Sequence, residues 1–347
     1  MADVTDVAFR RMIAKYSAHT RADGSFGGPD VMWTEFVAAD GLVRATEHGK
    51  KKLMADLLYA QVERPIVAQL FTRNPDHMEL AAALCLELGF DGVDINMGCP
   101  AGAIIDQGCG AAMIRTPELA VAVIRAAKRG AKSDDGGIPV SVKTRLGYHQ
   151  DQLEDWIPLL LKENLAALTI HARTRKEMSK VPARWERVNR VVELRNELAP
   201  ATKVIGNGDV LSRADGLAKI VESGADGAMV GRALFGNPWF FHPTIALPLR
   251  FKTLPTHGVA LEDISALDAS ERGVDYVSIP ERLRVLVEHS YLFCELLPFK
   301  NFSVMKKHYK AYVNGFPGAV PLRIKLMEQE SPRAVDAVVG EFLAINQ

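Results

Sequence analysis

Seven short runs with strand character recur over about 230 residues, most of them followed by an amphipathic stretch of helical period. This alternation restricts the fold more than any other feature of the chain. The runs are VMWTEF at 31–36, PIVAQLF at 65–71, GVDINMG at 92–98, PVSVKTRLG at 139–147, AALTIHAR at 166–173, KVIGNGD at 203–209 and DGAMVGRA at 226–233. Between them, 75–88, 117–128, 153–162, 185–198 and 213–222 carry apolar residues at helical spacing. A β-then-α rhythm of this length predicts a parallel sheet closed as a (β/α)8 TIM barrel, with an open doubly wound sheet as the alternative.

Parity along the runs separates a greasy face from a chemical one. Val93 and Ile95 share one side of their strand and Asp94 and Asn96 the other, before a Gly98-Cys99-Pro100 turn ends the ladder. Val140 and Val142 oppose Ser141, Lys143 and Arg145; Leu168 and Ile170 oppose Thr169, His171 and Arg173. Three strands thus agree in pointing polar side chains to the inner face near the carboxyl end, where barrels carry their chemistry, and Cys99 falls at the mouth. One such residue could be a solvated strand end or a satisfied core histidine; agreement across three strands favours a site. The glycine-rich turns IGNGD at 205–209 and VGRA at 230–233 follow the last two strands. Barrels commonly bind phosphate there, through backbone N–H groups and a cation such as Arg232.

Lys+Arg and Asp+Glu both total 42, so any basic footprint for nucleic acid must be local. Cys85, Cys99, Cys109 and Cys294 form no CxxC pair and no zinc-like group, which argues against a structural metal or a disulfide framework and makes a reducing cytoplasm the expectation. No apolar run reaches the roughly 18 residues of a spanning helix. Thr5-Asp6 before Phe9, Met12 and Ile13 reads as a helix start. That helix arrives without its strand, since Met1 and Ala2 leave almost no chain to make one. We expect a barrel at 1–243 lacking most of its first strand, a linker or insertion at 244–279 and a small all-α domain at 280–347.

The motifs VTDVAFR at 4–10, AQLF at 68–71, DINMGCP at 94–100, VKTRLG at 142–147, HARTR at 171–175, NGD at 207–209 and GRA at 231–233 occur in an order and spacing that resembles the tRNA-dihydrouridine synthase family. The likeness runs to about residue 243 and resumes near 300. It implies an FMN-containing barrel, followed by a helical domain that helps hold tRNA. It also implies an activity: reduction of the C5–C6 double bond of selected uridines with NADPH as reductant, by a cytoplasmic monomer that uses no metal and no membrane. By motif match, Cys99 is the acid; Gln69, Lys143 and His171 contact the flavin; Asn207, Gly208, Asp209, Gly231 and Arg232 surround its phosphate. Asn96, Arg145 and Arg173 fall on the substrate side, and Lys306, Lys307 and His308 on tRNA.

Those residue types suit the chemistry. Hydride delivery to one uracil carbon leaves enolate-like charge, and a proton must reach the neighbouring carbon; an ordinary thiol, with a reference pKa of about 8.5, is mostly protonated at neutral pH. A cation beside the flavin stabilises its reduced form. VMKKHYKAY at 304–312 clusters Lys306, Lys307, His308 and Lys310 with Tyr309 and Tyr312, a set that could grip phosphates and stack a base or be a plain charged helix face. Cys85 and Cys294 read as core fillers, and QGCGAAM around Cys109 as a loop near the mouth. Two departures stand out. Family members begin with a strand ending Ala-Pro-Met-Ala, so the strands at 31–36 and 227–233 are expected to keep unpaired edges, with weak FMN binding or aggregation as the result. After HARTR the chain reads KEMSKVPARW, without the tyrosine and glycine many members have before the Trp. Two other functions remain open: an FMN-dependent reductase of a free pyrimidine or small enone, and a catalytically impaired RNA-binding protein.

Overall fold

The computed structural model describes residues 4–132, 134, 136–247, 249–253, 259–263 and 275–346. Seven parallel strands pair in sequence order: β1 (Met32–Ala38), β2 (Ile66–Phe71), β3 (Gly92–Met97), β4 (Val140–Arg145), β5 (Ala167–His171), β6 (Lys203–Asn207) and β7 (Gly227–Met229). Their register sets Gln69 beside Asp94, Asn96 beside Lys143, Arg145 beside His171 and His171 beside Asn207. Polar positions therefore meet polar positions across the sheet. Thr34, Gln69, Asn96, Lys143, His171, Asn207 and Met229, one from each strand, line a single cavity of about 820 Å3, so the sheet curls round it as a barrel wall; an open doubly wound sheet would not bring β1 and β7 to the same cavity.

The seven runs read from the sequence are these seven strands, although β7 stops short of the expected 233. Gly231 opens a 3-10 turn at Arg232–Leu234, which ends the ladder. Among the described residues β1 pairs only with β2 and β7 only with β6, which leaves one edge of each without a ladder, as expected.

The outward faces are mostly apolar, with Thr144, which accepts from Trp156 Nε1 at 3.1 Å, a polar member. Val93, Ile95, Val142, Leu168 and Ile170 are fully buried beneath helices including α4 (Pro75–Glu87) and α6 (Pro117–Gly130), which follow α2 (Ala39–Arg44), α3 (Glu47–Asp56) and the short α5 (Gly102–Ile105). Asn74 caps α4 by accepting from the N–H groups of Asp76 and His77, with Pro75 in the first turn where its missing N–H costs nothing. Where α4 and α6 cross, a Cβ at Gly130 would lie 1.9 Å from the Glu79 carbonyl, so only glycine allows the approach. The outer ring continues with α7 (Leu153–Leu161), α8 (Trp185–Leu198) and α9 (Arg213–Ser223).

α1 (Val7–Tyr16) starts where the sequence places it, Asp6 accepting from the Phe9 N–H at 2.9 Å. Its i, i+4 pair Phe9 and Ile13 packs into the barrel core. The neighbouring pair Ala8 and Met12 packs into a second core with Leu286 and Phe293 of α10 (Ile279–Leu296). That core also takes residues of α11 (Lys306–Tyr312), α12 (Ala319–Met327) and α13 (Pro332–Ile345). Lys300 pins the helical unit down by reaching Glu35 of β1 at 3.0 Å and Asp56 at the end of α3 at 2.6 Å. Where it is described, the expected linker or insertion contains two strand pairs: Ile245–Ala246 pairs in parallel with Asp275–Tyr276, and Leu249–Thr253 pairs antiparallel with Val259–Asp263. The rest of that segment, 248, 254–258 and 264–274, lies outside the described residues. Among the described residues no helix is long and apolar enough to cross a membrane.

Candidate active site

Cys99 stands in a turn whose main chain is tied on three sides. Its N–H and that of Gly98 donate to Asn96 Oδ1 at 2.9 and 3.1 Å. Its carbonyl accepts from the Ala111 N–H at 3.0 Å, and the Gly98 carbonyl accepts from Arg145 Nε at 2.7 Å. The thiol itself makes no hydrogen bond among the described residues and lies at the cavity wall, close enough to Lys143 and Arg145 for their charges to interact with it. The segment around Cys109 lies against the Cys99 turn, near the mouth as expected, with a 3-10 helix at Gly110–Arg115; Cys109 itself is buried, points its thiol at the Gln107 carbonyl and is pushed up to about 11 by burial. Cys85 is buried in the core, as read from the sequence.

Behind the turn the inner-face polar groups of three strands join. Asn96 Nδ2 donates to Gln69 Oε1 at 2.9 Å, Gln69 Nε2 donates to Asp94 at 2.7 Å, and Ser141 Oγ donates to the other Asp94 oxygen at 2.6 Å. Asp94 is fully buried, and burial pushes its carboxyl up to about 6 against those hydrogen bonds and the charge of Lys143. Parity marks Asp94 and Ser141 as inward-facing but does not reveal their role, because their partners come from other strands.

Cations crowd the same wall. Lys143 is pulled down to about 8, chiefly by burial and then by Arg145, which leaves it mostly charged at neutral pH. Arg145 is brought down to about 10 by burial and by Arg173. Arg145 and Arg173 were expected on the substrate side, and both are already engaged. Arg145 Nη1 donates to the carbonyls of Thr174 and Met178 at 3.1 Å each; Arg173 Nε donates to the Val181 carbonyl at 2.6 Å and its Nη2 to Asp209. Together they hold the 174–181 loop over the mouth. Arg173 Nη1 also faces His171 Nε2 at 3.3 Å; a guanidinium can only donate, so Nε2 accepts and the imidazole proton sits on Nδ1. Burial, helped by the surrounding cations, holds His171 well below its usual pKa and therefore neutral.

At the carboxyl ends of β6 and β7 the glycine-rich turns approach closely. Gly208 has φ +125°, and a Cβ there would meet the Ala183 Cβ at 2.8 Å and the His171 ring at 3.2 Å. Asp209 accepts from Arg173, from the Ala183 N–H at 2.9 Å and from Arg232 Nη2 at 2.9 Å. It is thus a clamp for two guanidiniums. Arg232 remains about half exposed and lines the cavity with Gly208 and Gly231. Asn207 Nδ2 donates to the Met229 carbonyl at 2.8 Å, which ties β6 to β7.

The helical unit corrects one expectation. His308 is fully buried, packed 5.4 Å from the Phe9 ring, 5.9 Å from Phe235 and 4.7 Å from His289, and Tyr309 and Tyr312 are equally buried. None of the three can reach a nucleic acid from there. Burial keeps His308 well below its ordinary pKa, and neither ring nitrogen has a partner among the described residues. The other face of α11 carries Lys306, Lys307 and Lys310, the latter two exposed. Among the described residues no group of three His, Cys, Asp or Glu side chains could hold a metal ion.

Comparison with known proteins adds a family. A family model described as Dihydrouridine synthase (Dus) matches residues 1–344. A Staphylococcus aureus (strain COL) protein named probable tRNA-dihydrouridine synthase is 33% identical over 345 residues, covering 99% of this chain and 92% of that protein. A Bacillus subtilis (strain 168) protein named probable tRNA-dihydrouridine synthase 2 is 35% identical over 343 residues, with the same two coverages. Among solved structures, DHODH in complex with ferulenol from Eimeria tenella matches 56% of each chain at 12% identity, with a TM-score of 0.38. The barrel assignment rests on strand order and the shared cavity, not on that likeness.

Proposed function

This chain belongs to the dihydrouridine synthase family, and from that premise we propose that it reduces the C5–C6 double bond of uridine in tRNA, with FMN in the cavity and NADPH as reductant. The observation that carries the reading is Cys99: a thiol with no hydrogen bond among the described residues, on a turn held from three sides, at the wall of a cavity whose floor is polar. FMN fits the groups present. The cavity of about 820 Å3 lies within the usual range for cofactor sites, roughly 300–1,000 Å3. Amides, a neutral imidazole and a lysine suit a flavin ring, while Arg232 with the backbone of Gly208 and Gly231 suits a phosphate.

When bound, FMN supplies the hydride. The protein's own residues do the rest. Cys99 Sγ gives its proton to the uracil carbon next to the one reduced, and the tied turn holds that sulfur in place. Lys143, mostly charged at neutral pH, stabilises negative charge on the ring system beside it. Gln69 and Asn96 orient the rings through their amides, and Arg145 and Arg173 act indirectly by holding the loop over the mouth. Lys306, Lys307 and Lys310 would meet tRNA phosphates outside the cavity.

One assay tests this against its rivals. Purified protein is scored for flavin absorbance, then given NADPH and unmodified tRNA, and dihydrouridine is mapped. Flavin with dihydrouridine in tRNA supports the proposal. Flavin with reduction of free uracil but not of tRNA points to a pyrimidine or enone reductase, and tRNA binding without flavin points to an impaired RNA-binding protein.

A further inference from the structure

We propose that Asp94 is a positioning residue that sets the direction of the Gln69 and Asn96 amides and, through them, the turn that carries Cys99. This deepens the proposed function, and only its activity readout rests on that reading.

The geometry leaves one consistent assignment of the amides. The N–H groups of Gly98 and Cys99 can only donate, so the Asn96 atom facing them must be Oδ1. Asn96 Nδ2 then faces Gln69 at 2.9 Å, which makes that atom Oε1, and Gln69 Nε2 is left facing Asp94 at 2.7 Å. Two linked amides can turn over together unless both ends of the chain are fixed. Here one end is a pair of donors and the other is a carboxylate that accepts from Gln69 and, on its second oxygen, from Ser141. Flipping the chain would set Asn96 Nδ2 against two peptide N–H groups. Asp94, Gln69, Asn96 and Ser141 are all buried, so leaving their polar groups mismatched is costly. With the direction fixed, each amide keeps one N–H over, and both side chains line the cavity, where they suit the carbonyl edge of a planar ring.

The test exchanges the two end groups. Gln69→Glu sets two acceptors face to face. Gln69→Glu with Asp94→Asn restores every bond, because the new amide donates to Glu and accepts from Ser141. The readout is the rate at which iodoacetamide alkylates Cys99, mapped by peptide mass spectrometry against Cys294 in the same molecule, since Cys85 and Cys109 are buried. We expect the single variant to change the Cys99 rate by about tenfold or more relative to Cys294, and the double variant to return it to within about twofold of wild type. A folded single variant with an unchanged rate, or a double variant no better than the single, overturns the proposal. If the single variant does not fold, a folded double variant supports the proposal and an unfolded one overturns it. In the tRNA assay Asp94→Ala should lower kcat with KM for tRNA unchanged. Wild-type protein without activity on tRNA would defeat the proposed function while leaving the alkylation result standing.

Discussion

The barrel interior and the core behind α1 both bury polar side chains, and they treat them oppositely. In the barrel, Asp94, Gln69, Asn96 and Ser141 are linked by hydrogen bonds across three strands, while Thr169 Oγ1 and Trp33 Nε1 are without a partner among the described residues. Behind α1, His289 Nε2 and both ring nitrogens of His308 have no partner among the described residues, and both rings sit among aromatic neighbours. Burial is therefore no mark of function by itself. Connection is, because a satisfied network fixes directions, whereas a lone buried imidazole mainly fills volume and must stay neutral.

The largest effect expected from breaking this contrast is on turnover. Cys99→Ala should lower dihydrouridine formation by about 10² to 10⁴-fold while flavin content and Tm stay as in wild type; undiminished product from the variant would remove Cys99 from the acid role. Next come the two faces of α11. Replacing Lys306, Lys307 and Lys310 together should weaken tRNA binding by about 10 to 100-fold at moderate salt and flatten its salt dependence, without changing NADPH oxidation in the absence of tRNA. Binding isotherms at several salt concentrations measure this, and an unaltered slope makes that face ordinary surface.

The smallest effect concerns the buried face of the same helix. Burial lowers His289 to about 3 and His308 well below 6.5, so below pH 6.5 the unfolded chain takes up protons that the folded one refuses. Stability should therefore fall with acid, by up to about 1.4 kcal/mol per pH unit for each histidine. Asp6 and Asp94, both raised to about 6 by burial, act the other way between about 6 and 3.8, so single substitutions show the effect more cleanly than the wild-type curve. His308→Phe should change Tm little at pH 7 and gain up to about 2 kcal/mol over wild type at pH 5. Equal acid sensitivity in the two proteins would show that His308 is protonated in the folded state.

Much of this was legible in the sequence. Alternation located all seven strands, and parity on β3, β4 and β5 placed Asn96, Lys143 and His171 on the inner face, because side-chain direction in a strand is a local property. The Asp94 network was not legible. Its partners lie 25 and 47 positions away, and only strand register brings them together. Arg145 looks like a free cation in the sequence because its partners are backbone carbonyls of a loop about 30 residues on, and Arg173 because Asp209 lies 36 residues away on another strand end, which no local side-chain pattern announces. The error at His308 was avoidable: 308 and 312 share one side of a helix and 306 and 310 another, so helical spacing alone divides the cluster into a buried and a basic face.

α1 belongs to two cores at once, and neither is complete without it. The barrel and the helical unit therefore cannot denature independently. Loss of α1 strips Phe9 and Ile13 from the cavity wall in the same event that takes Ala8 and Met12 from under α10. In a guanidinium titration, Trp156 in the barrel core and Trp239 in the second core should report coincident midpoints, and a ligand held only in the cavity should raise both by the same amount. Holding a ligand in the cavity and clamping the helical unit in place are then expected to be one equilibrium, read from two tryptophans.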